Sequence, residues 1–148
     1  MTKIVIEKEY FENGQVREEI PVDESGLIQG TVRSFNEDGS LDSEVPFTDD
    51  IINGLVKWYQ NGDLYATAEH KDGQKEGFLT IYQAGKVSEQ ISYHNNLKDG
   101  VAHYFDEDGE TLQYEVTFER GKAVRGKAFL SADKQEDLSP QELLSFED

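Results

Sequence analysis

Three histidines, His70, His94 and His103, are the side chains of this 148-residue chain best suited to proton transfer or zinc ligation near neutral pH. They are scattered, without the close pairing of a zinc site. His70 also occupies a place that Phe47, Tyr93 and Phe118 hold elsewhere in the sequence, so packing is its expected role. Two acidic runs, Asn36-Glu-Asp-Gly39 and Asp106-Glu-Asp-Gly-Glu110, have the composition of a calcium loop. They lack the ligand series that closes on a bidentate glutamate, and a tight turn accounts for each glycine. No phosphate loop, nucleotide fingerprint or nucleophile elbow occurs, and Ser34 and Ser88 have no histidine placed to activate them. There is no cysteine, hence no thiolate nucleophile or thiolate metal site. Carboxylate pairs abound, but among 31 acids adjacency carries no information about general acid–base work. The expectation is a protein that is not an enzyme and holds no cofactor or metal.

The elements that carry these residues repeat. An aromatic, one to three polar residues, a glycine and then a branched apolar residue recur as Phe11…Gly14…Val16, Phe35…Gly39…Leu41, Tyr59…Gly62…Leu64, Tyr82…Gly85…Val87 and Phe105…Gly109…Leu112. These glycines are 25, 23, 23 and 24 residues apart, and a second series, Gly30, Gly54, Gly77, Gly100 and Gly126, keeps nearly the same period. Two interleaved glycine series with one period mark a repeat protein, whose function is sought on a surface rather than in a pocket. After each opening glycine comes a short run rich in β-branched and aromatic residues, for example Leu55-Val-Lys-Trp-Tyr59. Asn-Gly or Asp-Gly then closes a hairpin in a primed turn, Ala84-Gly85 being the exception. The second run alternates, with Leu41, Val45 and Phe47 against Asp42 and Glu44, the pattern of a strand wet on one side. Polar connections at 23–29, 48–53, 71–76, 94–99 and 119–125 lead to the next glycine.

This predicts an all-β fold: an elongated, twisted antiparallel β-meander of about five 23–25-residue hairpin repeats, ten to twelve short strands in all, with a short C-terminal helix. The repeat domain spans 1–130, and 131–148 is an acidic segment. Ile4, Ile6 and Tyr10 supply a first strand ahead of the first turn. Ser139-Pro-Gln-Glu142 is a capping box with proline at the first helical position, starting a helix that brings Leu143, Leu144 and Phe146 together. That helix lids the last strand, frays as a tail, or docks a partner.

Composition bounds the partners. Aromatics at 11% and apolar residues at 36% support a core. Charges interrupt the first residues where a signal peptide needs an apolar run, and no stretch reaches bilayer-spanning length, so a cytoplasmic location is expected. The net charge of −17 exceeds the magnitude of about 2–8 that solubility asks of a small domain. It repels phosphates and anionic lipids, which argues against nucleic acid or membrane as direct partners, and it attracts cationic proteins. The same charge also serves a plainer purpose, keeping a β-rich repeat soluble and its edges blunt.

The units Gly54-Leu-Val-Lys-Trp-Tyr-Gln-Asn-Gly-Asp-Leu64 and Gly77-Phe-Leu-Thr-Ile-Tyr-Gln-Ala-Gly-Lys-Val87 resemble the bacterial variant of the MORN repeat, over about residues 10 to 129. The turns at Asn36 to Gly39 and Asp106 to Gly109 depart from that pattern by one extra residue. The resemblance implies hairpin repeats and an antitoxin-like or immunity-like role: a non-enzymatic protein that neutralises a basic toxin domain, for example a nuclease. The alternative is a general interaction scaffold that takes a peptide or protein along a sheet edge or its acidic face. The phosphoinositide association of eukaryotic MORN proteins is not carried over, because the charge opposes it.

Two aromatics in the middle of the array bear on where a partner docks. Trp58 either pads the buried face, as Ile81 and Tyr104 do at the same repeat position, or anchors a partner. Tyr65 falls where other units are polar. Glu44, Asp49, Asp50, Glu69, Asp72 and Glu76 are expected around it, an aromatic anchor inside an acidic rim. The Asp106–Glu110 turn and the acidic tail are the competing places.

Overall fold

The computed structural model describes residues 3–148, so the first two residues of the expected repeat region lie outside it. Fourteen strands and one short helix are present among the described residues, and the strand pairs run antiparallel as a meander. The chain divides into two compact units, residues 1–74 and 75–148. The first contains β1 (Val5–Tyr10), β2 (Val16–Val22), β3 (Gly30–Phe35), β4 (Leu41–Thr48), β5 (Ile51–Ile52), β6 (Gly54–Gln60) and β7 (Asp63–Lys71). At the boundary β8 (Gln74–Gln83) begins the second, followed by β9 (Lys86–His94), β10 (Leu97–Lys98), β11 (Gly100–Phe105), β12 (Leu112–Glu119), β13 (Lys122–Ser131), β14 (Lys134–Asp137) and α1 (Pro140–Leu144).

The repeating phrase is a pair of residues facing each other across a hairpin. Phe35 stands opposite Leu41, Tyr59 opposite Leu64, Tyr82 opposite Val87 and Phe105 opposite Leu112, each aromatic just after a β-bulge. In the first repeat the paired aromatic is Tyr10, opposite Val16, whereas Phe11 lies in the turn. With Tyr10 as the aromatic, the first turn has the same length as the one at Asn36 to Gly39. Such aromatic–aliphatic pairs contribute about 0.2–1 kcal/mol each to a sheet.

Not all five glycine turns are primed. Asn61-Gly62 and Ala84-Gly85 have both residues at positive φ, as a type I′ turn requires. At Gly14, Gly39 and Gly109 only the glycine is left-handed, and its N–H donates to the carbonyl three residues back, as in a type I turn closed by a glycine bulge. Asn13, Asp38 and Asp108 fix these turns, each accepting the N–H two residues on.

The strand count exceeds ten to twelve because the polar connections also pair. Asp49-Asp50 and Asn95-Asn96 are type I′ turns without glycine, with φ of 49° and 68° in both. They fold back β5 onto β4 and β10 onto β9. Each turn is tied to the previous repeat in the same way. The Asp50 carboxylate accepts the Ile28 N–H while the Asp50 N–H donates to the Ile28 carbonyl, and Asn96 does both with Lys75. Asparagine and aspartate tolerate the left-handed region, which is what allows a turn here without glycine.

In the second unit Ile91, Ala102, Val116 and Phe118 form a core closed by Leu138 and Leu143. Segment 131–148 thus carries β14 and α1 onto that core. Ser139 accepts the Glu142 N–H and the Glu142 carboxylate accepts the Ser139 N–H, the reciprocal cap read from the sequence. Phe146 sits between Tyr104 and Tyr114, ring centroids 5.0 and 5.3 Å away, and Lys98 Nζ donates to the Phe146 and Asp148 carbonyls. In the first unit Val32, Val56, Ala66 and Ala68 are buried.

Candidate functional site

The first unit carries the larger share of the negative charge, with sixteen acidic and six basic side chains in residues 1–74. The register decides which of those acids are available. Across its polar face, Lys8 stands opposite Glu19, Glu19 opposite Arg33, Arg33 opposite Glu44, and Glu44 opposite Lys57. Signs alternate from strand to strand, and ion pairs form at 3.7 Å for Lys8–Glu19 and 3.1 Å for Arg33–Glu44. Opposite charges on facing residues favour the pairing, so the middle of this face is close to neutral.

The expected docking residues divide accordingly. Glu44 accepts the Tyr59 hydroxyl at 2.7 Å as well as Arg33; these contacts, the tyrosine first, hold its carboxyl below the usual range and push the Tyr59 phenol up. Asp49, Asp50 and Asp72 lie in the connections: Gln29 bonds Asp49, Ile28 bonds Asp50, and the Asn53 amide reaches Asp72 at 3.5 Å. Tyr65 is 41% exposed on β7, two residues from the buried Thr67, and Glu69 is exposed on the same strand opposite Leu55. Glu76 belongs to the second unit, where its carboxylate meets His94 Nδ1 at 2.6 Å and accepts the Asn95 N–H. That contact raises the His94 pKa. The structure therefore sets Glu44 and Glu69 around a β6 that also presents Lys57, and places Asp49, Asp50 and Asp72 at one end of the unit. Lys57 and Arg33 are the partners that sequence reasoning passed over. Their signal is visible, since each is central in its strand, Arg33 facing Glu19 and Glu44, and Lys57 facing Glu44 on one side and Thr67 on the other.

With the middle of the face self-paired, nine of the other acids lie at or beside the turns, while Glu7, Glu9, Glu18, Asp42 and Glu69 lie along strands. Glu12, Glu37, Asp38 and Asp63 lie at one end of the strands, and Asp23, Glu24, Asp49, Asp50 and Asp72 at the other. In the second unit an open cleft of about 560 Å³ beside the C-terminal residues is walled by Glu89, Asp106, Glu107 and Asp148, with Lys98 among them. No cluster of histidine and acid side chains suited to a metal occurs among the described residues, and no helix there is long and apolar enough to cross a membrane. Asp38 and Asp108, the acids of the calcium-like runs, hold their own turns instead: Asp38 binds Ser40, and Asp108 binds Glu110 and Thr111.

A family model described as the MORN repeat variant matches residues 5–24 and 28–49. These residues are the β1–β2 and β3–β4 hairpins. Two hairpins of the chain match MORN-variant repeats. The later hairpins, outside the matched residues, keep the same aromatic–aliphatic pairing and the same bulge. No curated protein and no solved structure matches the chain. The MORN-variant match supports a module of repeats that presents surface, consistent with side chains committed to turns and cross-strand pairs.

Proposed function

We propose that the chain is a non-catalytic protein-interaction module for a cationic protein and, within that class, a neutraliser that covers a basic toxin domain as a cytoplasmic immunity protein or antitoxin does. The observation that carries the reading is the distribution of charge in the first unit. Ion pairs cancel charge across the strands, and nine of the sixteen acids stand at or beside the turns, where their hydrogen bonds to neutral groups leave the negative charge to steer an approaching cation. A second reading, a scaffold that adds an extended peptide to a sheet edge, is favoured by β1, an edge strand whose six residues are all exposed.

Affinity capture with the immobilised chain separates the two. Capture at about 0.1 M salt should bring down a basic protein that leaves at about 1 M, where the screening length drops from ~10 to ~3 Å. If that protein is toxic when expressed alone and harmless beside this chain, the neutraliser reading holds. A captured protein that is acidic, or that stays bound at high salt through an extended segment on β1, selects the scaffold reading.

A further inference from the structure

The apolar face of the first unit repeats a row that the second unit fills with its own tail. In the second unit Glu89 stands opposite Tyr104 and Tyr104 opposite Tyr114, and Phe146, just past α1, lies against both tyrosines. The same repeat positions in the first unit are Glu18, Ser34, Ser43 and Trp58, facing one another in that order. Trp58 is half-buried there, with the small Ser43 and Ala66 on either side. The row continues to Glu9 opposite Glu18, and Glu7 stands on the same face opposite Ile20. Arg17 pairs with Glu9 at 2.8 Å and is close enough to feel Glu18 too, so this single cation serves two carboxylates, and Glu7 and Glu18 form the acidic border of a floor that ends in an indole. The described residues of the first unit include no helix.

We infer that this row is a docking groove for a short amphipathic segment of the cationic partner, seated as α1 and Phe146 are seated in the second unit, with an apolar side chain on Trp58 and basic side chains at Glu7 and Glu18. A second copy of the chain is the poorer occupant, because its own segment brings Glu142, Glu147 and Asp148 to glutamates of like charge. Small neighbours beside an indole leave room for an inserted side chain, and a Lys or Arg over that ring gains a cation–π contact as well. The inference rests on the cationic-partner reading and adds the place and the form of the contact.

Trp58 is the sole tryptophan, so its emission reports on the groove directly. The probe is a synthetic peptide of residues 138–148 carrying E142K, E147K and D148K, titrated into the full chain against the unaltered acidic peptide. The basic peptide should give a saturable shift of Trp58 emission that is lost at about 1 M salt. The E7K/E18K variant, checked for an unchanged circular dichroism spectrum, should bind it about tenfold more weakly or worse. No shift with the basic peptide at millimolar concentration, an equal shift with the acidic one, or undiminished binding by E7K/E18K overturns the groove. If the intact chain captures a cationic protein whose affinity ignores E7K/E18K, the functional reading stands and the groove alone is wrong.

Discussion

At Gly126 the structure has no room for a methyl group. A Cβ there would lie 2.8 Å from Leu138 Cδ1, 3.0 Å from the Glu115 carbonyl oxygen and 3.2 Å from Leu143 Cδ2. The leucines can shift, but the carbonyl is held in the β12–β13 ladder. Gly126→Ala should therefore cost about 1–3 kcal/mol, the range for overpacking a close contact. Gly62→Ala meets nothing within 4 Å and should cost only the roughly 1–2 kcal/mol of a left-handed non-glycine residue. Denaturant midpoints of the two variants measure the difference. Asp108 offers a test by pH. Hydrogen bonds from the Thr111 hydroxyl and backbone, then from the Glu110 backbone, hold its pKa down to about 2, from an ordinary 3.8. A depressed carboxyl contributes stability that is complete above the unfolded value and lost as pH falls towards 2. Asp108→Asn should flatten acid destabilisation across that window and leave the slope near neutrality unchanged. Both glycine series were legible in the sequence as turn markers. The close approach at Gly126 was not, because the leucines that fill it, Leu138 between β14 and α1 and Leu143 in α1, are twelve and seventeen residues away.

Among the elements, the C-terminal helix was read almost completely from Ser139-Pro-Gln-Glu142, since a reciprocal cap is a local contact that spacing alone specifies. Its role as a lid depends on which leucine turns inward, and only the fold shows that Leu143 is buried while Leu144 is 58% exposed. Leu143→Ala should lower unfolding free energy by about 2–5 kcal/mol. Leu144→Ala should stay within about 0.5, and Ser139→Ala should lose about 1 through the cap. Thermal or urea unfolding followed by circular dichroism ranks the three. Reversal of that order would place the helix the other way round. The strands β5 and β10 escaped the sequence reading for a definite reason. Their turns are Asp49-Asp50 and Asn95-Asn96, which lack the glycine that marks the five repeat hairpins, so they read as polar connection. The candidate site was less legible than the fold. Composition showed the acidity, but whether Glu44 faces solvent or Arg33 and Tyr59 depends on a strand register that alternation constrains only to a face.

For the whole molecule, charge is the proposed means of capture and the groove that ends on Trp58 the proposed means of retention. The two have separate kinetic signatures, since long-range attraction governs the on-rate and desolvated contacts the off-rate. Reversing turn acids with E37K, D63K and D72K alters the field while leaving the Arg33–Glu44–Tyr59 contacts in place. The most direct measurement is the association rate of the captured basic protein with the wild-type chain and with this triple variant, by stopped flow between about 0.1 and 1 M salt. The account predicts that the wild-type on-rate falls steeply with salt, that the variant starts lower and depends on salt more weakly, and that the two converge at high salt. Equal on-rates with equal salt slopes would contradict it.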